Sequence, residues 1–346
     1  MKGLRKVLTP FAPDQSGAVS VLYELGGIIV ICDAGGCAGN VCGFDEPRWF
    51  THKSAVFSAG LRDMDAILGR DDRLVSKLVS AAEKLDASFA AIIGTPVPSV
   101  IGTDYHALRR MAERRTKLPI LTVDTTGMAL SDEGAEKAYL ELFRRFSKEK
   151  LPVEPGRIGV LGANPLDLSD LNAGERLIAT LEAQGWSKVC CYGMGAGLDA
   201  VRAASSAEKN LVVAPSGLKT AQYLEKTFGT PYEVDNPLAC RLLPEQDWTG
   251  KRVLVVQQQV SANALRAELE RRGAAEVVCA TWFMKKTALQ RPGDLRLTEE
   301  DQFEALVRDG GWDAVIADPT LWPLTEGCDV QRVDAAEFAV SGRLVE

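Results

Sequence analysis

RIGVLGANPLDLSDLNAGERLIATLEAQGWSKVCCYG, residues 157–193, reads as strand, turn, helix and strand in one pass. Its ends, RIGVLGA (157–163) and KVCCYG (188–193), stay apolar at successive positions instead of alternating, as a strand covered on both faces requires. Between them AGERLIATLEAQG (173–185) is an amphipathic helix closed by a glycine, a common helix stop. Two buried strands joined through a helix predict parallel pairing.

The same rhythm extends in both directions. Further strands are expected at GIIVICD (27–33), FAAIIGT (89–95), PILTVDT (119–125), NLVVAP (210–215), RVLVVQ (252–257), AEVVCAT (275–281) and DAVIADP (313–319). Helices are expected at 71–85, 132–150, 218–229 and 262–273. Nine strands exceed what one compact sheet usually holds, and at roughly 150 residues per domain a chain of 346 predicts two to three domains. The Pro/Gly-containing joints EKLPVEPGR (149–157) and LLPEQDWTGKR (242–252) mark the boundaries. The fold class is therefore α/β, with three Rossmann-like units over residues 1–152, 153–247 and 248–346, each a parallel sheet flanked by helices.

Composition narrows the function. Acids outnumber bases 47 to 40, and the basic phrase RRMAERR near residue 112 is a solvated helix face, so the clustered positive charge of a nucleic-acid binder is missing. The longest apolar runs, such as GGIIVI (26–31), are far shorter than the ~20 residues of a membrane span. MKGLRKVLTPF lacks the apolar stretch of a signal peptide, which predicts a cytoplasmic chain. In that reducing compartment its eight cysteines read as thiols or metal ligands, and with only two histidines any metal chemistry leans on sulfur or carboxylate.

ICDAGGCAGNVCGFDEPRW (31–49) is the sharpest local feature. Cys32 ends a buried strand, and Cys37 and Cys42 follow in a loop whose Gly36 and Gly39 let the backbone fold closely around a bulky ligand. Such loops sit beyond the carboxyl ends of strands, where ligands bind in doubly wound sheets. Thiolates at varied spacings hold iron–sulfur clusters; the alternative is three buried structural cysteines beside glycines needed for turning. IIGTPVPSVIGTDYHAL (92–108) is a rigid strand–turn–helix connection that could wall a site. GMGAGL (193–198) has part of a dinucleotide loop without the full glycine spacing. No P-loop, HExxH, GxSxG or kinase signature occurs. Cys190 and Cys191 are adjacent and point to opposite faces of a strand, so they do not chelate one metal together. Cys279 reads as core, and Cys240, Cys328, His52 and His106 lack partners at ligand spacing.

Four phrases together resemble the nitrogenase component 1 superfamily. They are Cys32-Asp33-Ala34-Gly35-Gly36-Cys37 after a strand, Gly94-Thr95-Pro96 with Ile101-Gly102-Thr103-Asp104, Phe228-Gly229-Thr230-Pro231-Tyr232, and Gly250-Lys251-Arg252-Val253. The resemblance spans roughly residues 10–320. Cys37 matches the family's central cluster cysteine. Pro96 stands where the family has a second cysteine, Pro10-Phe11-Ala12 carries no sulfur, and Asp33 replaces the usual histidine. The resemblance implies an iron–sulfur cluster shared between subunits. With Cys37 and Cys42 from each of two copies, a homodimer supplies the four thiolates of a 4Fe-4S cluster, Asp33 or Asp45 standing in reserve. It also implies a nitrogenase-reductase-like P-loop iron–sulfur ATPase as partner and a small-molecule substrate, possible catalytic residues being unassigned. The rival expectations are a non-enzymatic cluster or cofactor assembly scaffold, a metal-free ligand-binding protein, and a nicotinamide oxidoreductase using GMGAGL.

Overall fold

The computed structural model describes residues 5–337, apart from the side chains of Ala66 and Ile67; the ends of the first and third expected units, 1–4 and 338–346, lie outside the described residues. All strand pairs within the sheets are parallel, and they form three separate sheets. The first has the order β2-β1-β3-β4, from β1 (Ile28–Ile31), β2 (Ala55–Ser58), β3 (Ala90–Ile93) and β4 (Ile120–Val123). The second has the order β6-β5-β7-β8, from β5 (Glu154–Leu161), β6 (Lys188–Cys191), β7 (Ala207–Val212) and β8 (Tyr232–Val234). The third has the order β11-β10-β9-β12-β13, from β9 (Arg252–Val256), β10 (Glu276–Thr281), β11 (Leu295–Arg296), β12 (Ala314–Ala317) and β13 (Gln331–Asp334).

The continuous apolar runs are explained by double coverage. In β1, Ile28 and Val30 pack toward the helices Asp71–Ala82 and Tyr105–Thr116, whereas Ile29 and Ile31 pack toward the helices Asp14–Leu22 and Ser131–Phe146. Each such side chain taken fully out of water contributes ~1.5–3 kcal/mol. The same alternation separates Cys190 from Cys191: they fall in different core clusters on the two faces of the second sheet.

The helix Ser131–Phe146 joins two sheets. Its Ala135, Ala138, Tyr139, Leu142 and Phe143 share one core with Ile29 and Ile31 of the first sheet and with Leu161, Tyr192 and Val212 of the second. Against it the helix Asp14–Leu22 crosses at backbone contact. A Cβ on Gly17 would lie 1.7 Å from Ser131 O, and one on Gly134 would lie 1.7 Å from Asp14 O. Only hydrogen fits at either position, so the two glycines are what lets the helices meet.

The third sheet is approached by the chain's own beginning. Leu8 is part of the core that Phe303, Val307 and Val315 form on one face of that sheet, and Phe11 packs against Trp282 and Phe283. The backbone N–H groups of Lys6, Val7 and Leu8 all donate to the carboxylate of Glu300.

Candidate functional site

Beyond β1 the chain runs through Cys32 and Asp33 and turns at Gly35. Its φ of 121° is a conformation that glycine adopts without strain. A short helix, Gly36–Asn40, then widens into a π-helical turn, Val41–Asp45, an irregularity frequent at functional sites. Cys37 lies in the helix and Cys42 in the π turn, both half-buried.

Two carboxylates fix this segment. Asp33 accepts from the Ala38 N–H at 2.7 Å and from the Ser58 hydroxyl at 2.6 Å, which ties the start of the helix to the neighbouring strand β2. Asp45 accepts from Ser16 Oγ at 2.7 Å and Asn40 Nδ2 at 2.6 Å, which ties its end to the helix Asp14–Leu22. Both oxygens of Asp33 and one of Asp45 are thus engaged in holding the segment. Just beyond, the buried Arg48 pairs with Glu46 at 2.8 Å and donates to Ser20 O and, 145 residues away, to Gly193 O. Its guanidinium also lies over the Tyr23 ring. The segment is clamped at three points.

What faces outward is unusual. A Cβ built on Gly35, Gly36, Gly39 or Gly43 would meet nothing within 4 Å, so no contact inside the chain demands glycine at the last three. Around this open face the loops that follow β1 to β4 carry exposed Phe44, Phe50, Met64, Val100 and Met128, with Val100 and Met128 each 85% exposed. An apolar collection of this kind on one sheet edge marks an interaction surface.

The thiols differ in environment. Burial pushes Cys32, Cys191 and Cys279 up to about 12, so these are protonated packing groups. Cys37 is raised by partial burial and, less strongly, by the Asp33 carboxylate, while a hydrogen bond with Thr95 draws it back down; Cys42 is raised by partial burial, then by Glu46 and Asp33. Among the described residues, no group of three or more Cys, His, Asp or Glu side chains converges to hold a metal. Thiolate donors at an open, glycine-faced edge suit an iron–sulfur cluster chemically, but one chain presents half the ligands such a cluster needs.

The remaining sequence candidates fall elsewhere. Pro96 is the first residue of the helix Pro96–Ile101, its ring close against Gly127, where a Cβ would sit 2.5 Å away. In GMGAGL the Gly195 N–H donates to the Glu24 carboxylate and Gly193 O accepts from Arg48, so these polar groups are used within the chain. His52 pairs with Thr51 Oγ1, and His106 is the second residue of the helix Tyr105–Thr116, its backbone N–H donating to the capping Asp104. Arg48 and Glu46 stood in the quoted phrase DEPRW without a role, because Arg48's backbone partners Ser20 and Gly193 lie far along the chain. Among the described residues, no helix is long and apolar enough to cross a membrane.

Comparison with known proteins agrees with this geometry. The profile described as nitrogenase component 1 type oxidoreductase matches residues 15–241. The nitrogenase iron-molybdenum cofactor biosynthesis protein NifE of Clostridium pasteurianum is 28% identical over 180 residues, and that of Bradyrhizobium diazoefficiens 24% over 183. Each alignment covers 51% of this chain but 38% and 32% of the relative, so the matched part spans about a third of those proteins. The solved structure of nitrogenase Cp1 at pH 6.5 shares the fold with a TM-score of 0.73 at 11% identity, covering 98% of this chain and 88% of that one. The structure at pH 5 gives 0.70 at 15% identity, covering 98% and 85%.

Proposed function

From the premise that the chain belongs to the nitrogenase component 1 type oxidoreductase family, we propose that it is the substrate-reducing component of a two-component, ATP-dependent reductase. Two copies bring Cys37 and Cys42 together as four thiolate ligands of a 4Fe-4S cluster, with Gly36 and Gly39 backing it at the interface. When bound, such a cluster passes single low-potential electrons. The chain's own part is to hold the thiols, shield them with apolar loops and exclude water. A separate P-loop iron–sulfur ATPase delivers the electrons, since this sequence has no P-loop, and a small-molecule substrate receives them. The cytoplasm is the matching compartment for eight unpaired cysteines.

The observation that carries this reading is the half-buried thiol pair on an edge whose glycines face open space. Protein purified without oxygen is expected to contain iron and sulfide, to be coloured and to sediment as a dimer. Cys37→Ala and Cys42→Ala each remove most of the iron, while Cys279→Ala retains it. A colourless, iron-free protein overturns the proposal. If Cys42→Ala keeps its full iron, the four-thiolate homodimer fails.

A second reading, a non-enzymatic cofactor assembly scaffold, is favoured by the curated relatives, both named as cofactor biosynthesis proteins. Turnover of a small molecule with the ATPase, ATP and reductant separates the two.

A further inference from the structure

The first sheet ends on one side at β2, and there the face that Phe57 shares with its neighbour Val30 is only partly covered. The helix Asp71–Ala82 presses Leu74 and Leu78 into the core beside Val30. Next to that contact the side chains become small, Ser58 and Ala59 from the strand end and Ser80 and Ala81 from the helix. A groove of about 380 Å³ opens between the two elements. That volume lies in the range of pockets that hold small molecules, about 300–1,000 Å³.

The groove combines apolar walls with charge of one sign. Lys77 and Lys84 border it and no Asp or Glu does, although the chain as a whole carries a net charge of -7. Leu74, Lys77, Leu78 and Ala81 recur at steps of three and four and so share one helix face, while Asp72 and Glu83 fall outside the lining. The Lys77 ammonium donates to Ala59 O and Gly60 O, which holds it at the strand end. The Lys84 ammonium has no hydrogen bond or ion pair among the described residues. At the rim two large apolar side chains stay in water, Phe57 at 42% exposure and Leu85 at 39%. A cleft with low-dielectric walls and one sign of charge focuses its field on an entering counter-ion.

We propose that this groove binds an amphiphilic monocarboxylate, whose apolar tail lies along Val30, Leu74 and Leu78 and whose carboxylate pairs with Lys84. The tail leaves water for walls that are already apolar. The head gives Lys84 the partner that the chain does not. A neutral amphiphile fills the same space without the ion pair, and a cationic one meets like charge twice. No residue of the cysteine segment 36–45 lines the groove, so the proposal holds whether or not the chain carries a cluster.

Calorimetric titration of the full chain with octanoate, 1-octanol and octylamine, which share one tail, tests this. Octanoate is expected to bind at least tenfold more tightly than the other two. Lys84→Glu weakens its binding tenfold or more, and Ala81→Phe, which fills the groove, abolishes it. Lys148→Glu, the same charge change outside the lining, leaves the affinity unchanged. Circular dichroism and the melting temperature establish that each variant is folded. No binding of octanoate, equal binding of octanol, or unchanged affinity in folded Lys84→Glu overturns the proposal, as does equal weakening by Lys148→Glu. Octanoate binding that appears only as the protein dissociates on dilution overturns it too, because a second copy of the chain is then the cover of this face.

Discussion

Glycines serve opposite purposes in two regions of this molecule. At the crossing of the helices Asp14–Leu22 and Ser131–Phe146, Gly17 and Gly134 are needed because a backbone oxygen occupies the space of a Cβ. In the segment 36–45, Gly36, Gly39 and Gly43 face nothing. The first pair is explained by the chain. The second set has no such explanation within the chain, and in the proposed function it faces a second subunit and a shared ligand beside the half-buried thiols and exposed apolar side chains. A single substitution type, Gly→Ala, therefore distinguishes a folding role from an assembly role.

Gly134→Ala should have the largest effect. Its methyl meets fixed backbone, so stability falls by about 3 kcal/mol or more, or the protein does not accumulate; chemical denaturation reads it out. A loss below about 1 kcal/mol would mean that the two helices slide apart easily, and the contrast would lose half its force. Next, Val100→Asp combined with Phe50→Asp should leave the fold intact but shift sedimentation from dimer to monomer, because exposed apolar side chains cost little to replace within one chain. Gly36→Ala and Gly39→Ala should then leave the subunit as stable as before, or more so by about 0.5–1 kcal/mol, since alanine lowers the entropy lost on forming a helix. Both should reduce iron content. Unchanged iron would reduce the open glycines to turn formers.

The buried carboxyls Asp132, Asp167 and Glu337 predict a smaller, graded effect. Burial raises Asp132 to about 6, Asp167 to about 7 and Glu337 to about 8. Folded protein therefore keeps protons that the unfolded chain has released from about pH 4 upward. Folding takes up protons in that window, so stability is fullest at the acid end and falls as pH rises toward 8, by up to about 1.4 kcal/mol per pH unit for each group. Melting temperatures across that range should decline, and Asp167→Asn should flatten the decline. A profile that rises with pH would mean that a cation or an ordered partner already compensates these groups.

The sequence made the nine doubly covered strands legible because burial on both faces leaves an unbroken apolar run. It hid β2, β8, β11 and β13, sheet-edge strands whose residues are mostly exposed or half-buried. The helix DQSGAVSVL (14–22) is buried at every position, so it shows no apolar stripe of helical period. By contrast Leu218–Phe228, with Leu218, Ala221, Leu224 and Phe228 inward, carried a readable pattern and was expected at 218–229. At the site, Cys37, Cys42 and their glycines stood together in one phrase. The clamp from Arg48 to Gly193 and the gathering of Asp132, Asp167 and Glu337 join residues that only the tertiary fold brings near.

The anchoring of residues 6–11 on the third sheet has a consequence for the order of events during synthesis. Leu8 and Phe11 leave the ribosome some 270–290 residues before their partners Trp282, Phe283 and Glu300, which at ~5–20 residues per second is a delay of about 15–60 s. Through that interval an apolar N-terminal strip waits uncovered while the first two sheets are already able to form around their shared helix. Its docking is then a late step, a clasp that fastens only once the third sheet has been made. Any nascent chain halted before the third sheet would display that strip as a mark of incompleteness, available to chaperones that hold exposed apolar segments.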